Sequence, residues 1–306
     1  MHTPLRIKTI SEFHALRGLP KPKHPLVSVI NFDDIKNQFE AGTESLIFDF
    51  YTISVKRGMN HRYRYGQQDY DFNEGVMFFM APHQVLRIET EEENHQPTGW
   101  SLIIHPDFFW NTPLASTIKK YDFFGYAVHE ALFLSEEEEL KIQQLIENIR
   151  QEYHTSIDQF SQNIIISQLE TLLNYADRFY QRQFITRNKA HHLVLEQLET
   201  LLDHYFEAGD LSSKGLPTVQ YISDQLHLSP TYLRSLLKML TGQNTQQLIH
   251  QKVIDKAMEK LTTTHLTVSE IAYELGFEHP QSFNKFFRKK ANITPMEFKQ
   301  RFQRSN

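Results

Sequence analysis

Short apolar runs alternate with turn-forming residues over roughly the first hundred positions, and this pattern predicts β-strands. The predicted strands are Leu26–Ile30, Leu46–Lys56, Gln68–Phe72, Val76–Met80, Val85–Glu89 and Trp100–His105. In the second of them, Leu46, Phe48 and Phe50 occupy alternate positions, so we expect one face of that strand to be buried. Strands that follow one another at such regular intervals are typical of an antiparallel sandwich or barrel.

Apolar residues recur at helical spacing after Ser135. Ser135 and Glu138 form the sequence pattern of a capping box, and Ile142, Ile146 and Ile149 follow on one side of the predicted helix. A second helix, which Asp158 can cap, has a broad apolar face made of Ile164, Ile165, Leu169, Leu172, Leu173, Ala176, Phe179 and Tyr180. The two consecutive helical patterns predict a helical hairpin. Its apolar faces fit either an intramolecular core or the interface of a homodimer.

A third helix is predicted over about Lys189–Glu207, with Leu193, Leu198, Leu201, Leu202 and Phe206 on its apolar side. The segment Asp210–Pro217 contains serine, glycine and proline and is predicted as a loop. With a boundary near Arg187, these patterns predict three parts: a β domain at 1–134, a helical hairpin at 135–187 and an all-helical domain at 188–306.

The most specific signal is an internal repeat. Thr218–Leu228 lies 49 positions before Thr267–Phe277 and matches it in apolar spacing. After the turn the offset becomes 50, so Leu233 aligns with Phe283 and the second turn is one residue longer. Each copy is therefore predicted as two helices joined by a short turn, which is a helix-turn-helix.

Turn chemistry supports this prediction. Gly276 supplies the positive φ that a tight turn needs, and Pro280 fits the first position of the following helix, where a missing N–H costs nothing. In the first copy, Ser229 is predicted as the N-cap and Pro230 as the next residue. His227 stands where the second copy has Gly276, so we expect a looser first turn.

The second helix of each copy leaves a polar and basic face exposed. These faces contain Thr231, Arg234, Ser235 and Lys238 in the first copy, and Gln281, Ser282, Asn284, Lys285, Arg288 and Lys289 in the second. Such side chains donate hydrogen bonds to base edges and phosphates in the major groove. One helix of this kind fits an ordinary solvated surface equally well, but two copies with matching turns favour binding to double-stranded DNA.

Between the copies, Gln246–Leu261 is predicted as one helix, about 24 Å long at 1.5 Å per residue. A rigid spacer of that size can hold two recognition helices about 34 Å apart, so that they enter successive major-groove segments on one face of the DNA.

Charge and composition agree with a DNA-binding segment attached to an acidic domain. The net charge of the chain is −5, but Leu211–Asn306 carries 13 basic and 7 acidic residues. Cysteine is absent, which excludes disulfides, thiolate zinc sites and cysteine nucleophiles. No apolar run approaches the roughly 18 residues of a membrane helix, and no secretory leader pattern follows Met1, so we expect a cytoplasmic protein without a membrane partner.

The C-terminal third resembles the AraC/XylS family of bacterial transcription regulators. The motifs that carry the resemblance are Leu228-Ser229-Pro230-Thr231-Tyr232-Leu233, Ile271-Ala272 with Leu275-Gly276-Phe277, Ser282-Phe283 with Phe286-Phe287-Arg288-Lys289, and Ile293-Thr294-Pro295 with Phe298. The resemblance implies a seven-helix domain that reads tandem half-sites of promoter DNA and activates transcription through contact with RNA polymerase. The chain departs from the family at Val253, where arginine is usual, at Ala291-Asn292 and at His279-Pro280.

The N-terminal half is similar to the cupin-like sensor domains of such regulators, over Tyr65–Gly75 and Met80–Gln84. Cupin enzymes hold a metal with a His-x-His pair, a carboxylate and a further histidine, but here His61 and His83 have no such partners, and the adjacent His191 and His192 suit a helix surface. No metal, cofactor or catalytic residue is therefore predicted.

If the β domain has a function of its own, we expect it to bind a small-molecule effector in a pocket, as barrels and sandwiches often do. Its aromatic residues are Phe48, Phe50, Tyr63, Tyr65, Phe78, Phe79 and Trp100, and the arginines that could meet an anionic ligand are Arg62, Arg64 and Arg87.

The sequence thus predicts an α+β protein with a cupin-like antiparallel β barrel or sandwich, a helical hairpin and an all-α domain with two helix-turn-helix motifs. The predicted function is a sequence-specific transcription regulator, in which the hairpin transmits the signal and pairs subunits. The alternative is a cupin-type enzyme or small-molecule binding protein whose helical part contacts a protein partner.

Overall fold

The computed structural model describes residues 4–36, 42–57, 75–90, 98–127, 130–155, 158, 160–186, 188–207 and 211–305. The chain divides into two compact units, Met1–Thr186 and Arg187–Asn306. The hairpin belongs to the same compact unit as the β region, and the three-part functional division of the chain stays a prediction.

The first unit contains two β-sheets. Its described strands are β1 (Leu5–Ile7), β2 (Val27–Asn31), β3 (Gly42–Phe48), β4 (Tyr51–Arg57), β5 (Val76–Met80), β6 (Val85–Thr90), β7 (Thr98–Ile104) and β8 (Leu132–Phe133). One sheet has the order β1-β3-β6 and the other β2-β7-β4-β5-β8. Neighbours are antiparallel except β1 and β3, which run parallel. The predicted strand Gln68–Phe72 lies outside the described residues.

The prediction of a single strand over Leu46–Lys56 is wrong, because Asp49 and Phe50 separate β3 from β4. The backbone N–H of Asp49 donates to the carbonyl of Ile7 (3.0 Å), and its carboxylate accepts from Nε of Arg6 (2.8 Å). Phe50 is buried, as the alternating pattern predicted, but it lies in the bend rather than in a strand. A tertiary contact with β1 thus ends a strand that local pattern alone would continue.

Helices of the first unit are α1 (Ile10–Leu16), α2 (Leu114–Thr117), α3 (Glu136–His154) and α4 (Ser161–Thr186). The predicted capping box is confirmed: the hydroxyl of Ser135 accepts from the N–H of Glu138, and the Glu138 carboxylate accepts from the N–H of Ser135 (3.0 Å). Asp158 caps α4, since its Oδ1 accepts from the N–H of Ser161 (3.1 Å). Helices α3 and α4 pack against each other, but Ile164, predicted on the apolar face, is exposed.

The second unit is helical. Its helices are α5 (Asn188–Glu207), α6 (Leu211–Lys214), α7 (Val219–Gln225), α8 (Pro230–Thr241), α9 (Thr245–Thr263), α10 (Val268–Glu274), α11 (Pro280–Ala291) and α12 (Pro295–Ser305). No helix among the residues that the structure describes, in either unit, has the length and apolar character needed to cross a membrane.

Helix α9 is the spacer of the second unit. Its 19 residues make it about 28 Å long, slightly longer than predicted. It contacts α8 of the first copy, and it contacts α10 and α11 of the second copy together with the following helix α12. One core cluster of this unit consists of Ile254, Ala257, Leu261, Ile271, Ala272, Leu275, Phe283 and Phe287. Val253, at the position where the family usually has arginine, is fully buried, so it contributes apolar packing instead of a polar contact.

Three expectations for the second unit are corrected. The predicted loop Asp210–Pro217 contains the short helix α6. His191 does not lie on a helix surface: it is buried, and its Nε2 lies 3.4 Å from the hydroxyl of Tyr232, whereas its neighbour His192 is exposed. Leu193, predicted on the apolar side of α5, is exposed. The burial of His191 depends on α8, a contact that the sequence of α5 alone does not reveal.

Candidate nucleic-acid interface

The two helix-turn-helix copies share one backbone hydrogen-bond pattern. In the first turn the N–H of Leu228 donates to the carbonyl of Ser223 (2.9 Å). In the second, at the predicted offset of 49 residues, the N–H of Phe277 donates to the carbonyl of Ala272 (3.0 Å). The internal repeat of the sequence is therefore also a repeat of turn geometry.

Local capping residues fix the ends of the recognition helices α8 and α11. The hydroxyl of Ser229 accepts from the N–H of Tyr232 (3.2 Å) at the start of α8, whereas His279 caps α11 without a side-chain hydrogen bond. Both helices end in a left-handed residue, Gly242 (φ 73°) and Asn292 (φ 61°). Asparagine tolerates this conformation, so the departure from the family at this position keeps the C-cap.

Burial of one stripe orients each recognition helix. Tyr232, Leu233, Leu236 and Leu237 of α8, and Phe283 and Phe287 of α11, are buried. On α8, Arg234 and Lys238 are exposed, but Thr231 and Ser235 are half-buried and so less accessible than predicted. On α11, all six predicted residues are exposed: Gln281, Ser282, Asn284, Lys285, Arg288 and Lys289.

A shallow groove of about 710 Å³ runs along α11. It is lined by Asn284, Lys285, Arg288 and Lys289, and by Val268, Ser269, Thr294 and Met296. The structure thus brings four of the six predicted α11 residues together at one concave surface, without Gln281 and Ser282. Val268, Ser269, Thr294 and Met296 were not predicted at the site. They lie at or just before the start of α10 and α12, the helices that precede and follow α11 in the chain, and this position is the signal for them.

Nearby acidic side chains are already engaged. Hydrogen bonds from the backbone of the capping threonine lower the pKa of Glu270 at the start of α10, and the same arrangement lowers the pKa of Glu297 at the start of α12. The carboxylate of Glu274 accepts from the ammonium of Lys260 (2.7 Å). These carboxylates therefore cap helices or pair with a lysine of α9, and the charge of Arg288 adds a smaller contribution to the lowered pKa of Glu297.

His250 of α9 lies next to the basic face of α11. Its ring packs edge-on against Phe286, with 5.1 Å between ring centroids. Burial, and then the charges of Lys290 and Lys289, lower its pKa. The imidazole is therefore neutral at pH 7. The positive charge of this face of α11 comes from its exposed lysines and not from His250.

The described residues of the first unit form no cluster of side chains suited to catalysis. His83 is exposed, and its Nδ1 lies 3.2 Å from the carboxylate of Asp49, which also binds Arg6. Among the described residues no three histidine, aspartate or glutamate side chains converge as metal ligands. Phe48, Phe50 and Phe79 are buried, and Phe78 and Trp100 are half-buried. Outside the described residues lie His61, Arg62, Tyr63, Arg64 and Tyr65, and the side chain of Arg87 is likewise not described.

Comparisons with known proteins match the helical unit, and one match extends beyond its 120 residues. The family described as a helix-turn-helix domain matches residues 222–301, which include both recognition helices. Histidine kinase P4 of Formosa agariphila is 32% identical over 80 residues, which are 26% of this chain and 6% of the kinase. The HTH-type transcriptional activator RhaR of Yersinia pestis bv. Antiqua (strain Angola) is 26% identical over 164 residues, which are 54% of this chain and 52% of RhaR. The match thus spans about half the length of RhaR.

Among solved structures, the C-terminal domain of the two-component response regulator yesN from Fusobacterium nucleatum is 32% identical. That match covers 33% of this chain and 96% of the yesN domain, with a TM-score of 0.29, which is too low to establish a shared fold by itself. The family match covers the two copies whose turns, caps and exposed faces are described above. Residues 222–301 of the second unit are therefore a helix-turn-helix domain, and the motifs that resemble the AraC/XylS family lie within them.

Proposed function

We propose that this chain is a sequence-specific regulator of transcription that binds double-stranded promoter DNA through α8 and α11. The observation that carries the proposal is the pair of recognition helices whose turns share one backbone hydrogen-bond pattern, each burying one stripe and exposing basic side chains. An exposed helix of this kind fits the major groove, where base edges carry the sequence information. Helix α9 connects the two copies and serves as the spacer.

The proposed contacts are Thr231, Arg234, Ser235 and Lys238 on α8, and Gln281, Ser282, Asn284, Lys285, Arg288 and Lys289 on α11. Exposure supports the roles of Arg234, Lys238 and the α11 residues most directly. Four of these residues also line the groove along α11. There Lys285 and Arg288 can bind phosphate oxygens, while Asn284 offers an amide to base edges.

We also propose a division of labour for the whole chain. The first unit senses a small-molecule effector, the α3–α4 hairpin transmits the signal and pairs subunits in a homodimer, and the DNA-bound regulator activates transcription through RNA polymerase. Its similarity to RhaR, which is named a transcriptional activator, supports activation over repression. Such a regulator works in the cytoplasm, where promoter DNA is accessible.

A non-enzymatic role is part of the proposal. A cupin-type active site would need histidine and carboxylate side chains that are free to hold a metal. Instead, the carboxylate of Asp49, at the bend between β3 and β4, lies 3.2 Å from Nδ1 of His83 and also binds Arg6.

Fluorescence anisotropy with the full chain tests this function. The probe is a labelled duplex from the region upstream of the gene, and the competitor is a scrambled duplex of the same composition. The variants Arg234→Ala and Lys285→Ala remove one exposed cation from each recognition helix, and loss of a base contact should weaken binding by about 1–3 kcal/mol.

Lys256→Gln is the matched control, because Lys256 lies on α9 and its ammonium pairs with Glu259 (3.0 Å). We expect it to bind like the unmodified chain. Equal affinity for the promoter and the scrambled duplex, or unchanged affinity in both recognition-helix variants, would overturn the proposed function.

A further inference from the structure

A second concavity lies in the first unit, at the turn of the α3–α4 hairpin. It has a volume of about 340 Å³ and is bordered by the segment before β2, by the 3-10 helix Pro106–Phe109 and by the ends of both hairpin helices. Its lining includes His24, Phe108, Glu152, Tyr153, Asp158 and Gln162. This volume falls within the range of pockets that bind small molecules, roughly 300–1,000 Å³.

Hydrogen bonds hold the walls of this hairpin cavity in place. The side-chain amide of Gln162 on α4 donates to the carbonyl of Phe108 (2.7 Å). The hydroxyl of Tyr153 on α3 accepts from the backbone N–H of Lys23 (2.8 Å) and lies 3.5 Å from the hydroxyl of Ser28 on β2. The cavity is thus framed by fixed contacts between the hairpin and the β region, which is the preorganisation that ligand binding requires.

Two carboxylates line the cavity, those of Glu152 and Asp158. The carboxylate of Glu152 is half-buried, and none of the ion pairs among the described residues includes it. The Asp158 carboxylate lies at the exposed rim, and the hydrogen bonds that it receives from described residues fall on Oδ1, where it caps α4. The nearby ammonium of Lys23 donates instead to the carbonyl of His154 (3.4 Å).

His24 adds a neutral donor to the same cavity. Its Nδ1 accepts from the backbone N–H of Leu26 (3.0 Å), and its ring packs edge-on against Phe108 at 5.4 Å between centroids. Burial lowers the pKa of His24, so the imidazole is neutral at pH 7. Because Nδ1 accepts a hydrogen bond, the proton of the neutral ring is on Nε2, where it can be donated to a ligand oxygen.

We propose that the hairpin cavity binds a small organic ammonium compound, whose cation pairs with Glu152 and Asp158 and whose carbon skeleton lies against Phe108. Two carboxylates without a cationic partner favour a cation, and the aromatic wall favours an organic one. A bare metal ion fits less well, because the described residues provide no third ligand of the histidine or carboxylate type. The ligand then contacts both Glu152 in the last turn of α3 and Asp158, the residue that caps α4, so it bridges the two hairpin helices.

This inference deepens the proposed function: it rests on the sensing role proposed for the first unit, names a site and a ligand class for it, and can fail separately from DNA binding. The cavity lies entirely within the first unit, so a failure of DNA binding leaves the ammonium site untouched, and an unoccupied cavity leaves DNA binding untouched. Binding of ligand is therefore measured directly on the full chain, without DNA.

The test is calorimetric titration of the full chain with 1,4-diaminobutane and ethanolamine at millimolar concentration. Uncharged 1,4-butanediol and anionic succinate are the matched negative probes. Glu152→Gln removes one charge, and Asp158→Asn removes the other while keeping the Oδ1 acceptor that caps α4. We expect either variant to bind the amines about tenfold or more weakly, as the loss of a charge-assisted hydrogen bond implies.

Two further variants make the result specific. Leu26→Trp places a large side chain into the cavity and should abolish binding without changing the far-ultraviolet circular dichroism. Glu147→Gln is the control on the same helix, because its carboxylate is held by Arg150 (2.7 and 2.8 Å) and does not line the cavity. Absence of binding with both amines, equal binding of butanediol, or binding that survives Glu152→Gln and Leu26→Trp would each overturn the proposal.

Discussion

His227 and Gly276 occupy equivalent positions in the two helix-turn-helix turns, and both have a positive φ, 54° and 80°. The N–H of His227 donates to the carbonyl of Asp224 (3.2 Å), as the N–H of Gly276 donates to that of Tyr273 (3.0 Å). The first turn is therefore not opened by the absence of glycine. A histidine instead adopts a left-handed conformation that costs roughly 1 kcal/mol in a residue with a Cβ.

The variant His227→Gly should relieve this strain. We expect an increase of about 0.5–1 kcal/mol in the free energy of unfolding of the second unit, offset in part by the greater freedom of glycine in the unfolded chain. Urea unfolding followed by circular dichroism measures the change. Destabilisation by the glycine would show that the His227 side chain contributes more than its backbone conformation costs.

The variants Gly276→Ala and Gly242→Ala separate the cost of a positive φ from the cost of a steric clash at the Cβ. Both positions have positive φ, but a Cβ at Gly276 would lie 2.8 Å from the carbonyl oxygen of Leu211, whereas none of the described atoms lies within 4 Å of a Cβ at Gly242. We expect about 1 kcal/mol of destabilisation at Gly242 and about 2–4 kcal/mol at Gly276. Equal losses of unfolding free energy would show that α6 does not pack tightly on the second turn.

Lys56 gives the first unit a pH-dependent stability. Its ammonium lies 5.4 Å and 5.7 Å from the ring centroids of Phe32 and Phe78, and burial, followed by the charge of Arg17, lowers its pKa to about 8. The unfolded chain binds more protons between pH 8 and the ordinary lysine pKa of 10.5, so stability should rise with pH across that interval.

Lys56→Met should remove that rise and stabilise the first unit at pH 7 by about 1–3 kcal/mol. Tryptophan fluorescence reports this unit selectively, because both tryptophans of the chain, Trp100 and Trp110, lie in it. Urea unfolding at pH 7 and pH 10 gives the comparison. A variant whose stability rises with pH as steeply as that of the unmodified chain would contradict the assignment to Lys56.

Salt dependence tests the charge of the two recognition faces. The double variants Arg234→Gln with Lys238→Gln, and Lys285→Gln with Arg288→Gln, each remove two exposed cations. If all four contact phosphates, either double variant should reduce the slope of log affinity against log salt by about 2.

The control for this experiment is the double variant Lys252→Gln with Lys256→Gln. These lysines of α9 pair with Asp203 of α5 and with Glu259, and neither of them lines the groove along α11. A slope that changes as much in this control as in the recognition variants would show that total charge, and not the recognition faces, governs binding.

Local signals made much of the second unit predictable. Ser229, Gly276 and Pro280 mark turns and helix ends through their own backbone preferences, and the structure places them as predicted. Because the two copies repeat one pattern of apolar and turn residues, each copy supported the helix-turn-helix prediction for the other. The outward faces of α8 and α11 followed from helical spacing, because the apolar residues of each copy had to be buried.

Features that depend on distant parts of the chain were not predictable. Strand β1 is only three residues long and is defined by parallel pairing with β3. The bend at Asp49 depends on Arg6, and the burial of His191 on Tyr232. Met296 lines the groove because α12 packs beside α11, and the sequence of α12 alone does not reveal that contact.

Hydroxyl-radical footprinting of the full chain on its target promoter tests the central claim most directly. Two helices on one spacer should protect two segments about 10 base pairs apart on one face of the duplex. Arg234→Ala should weaken protection of one segment and Lys285→Ala that of the other. A single protected segment, or a footprint that both substitutions leave intact, would contradict the claim that α8 and α11 read DNA together.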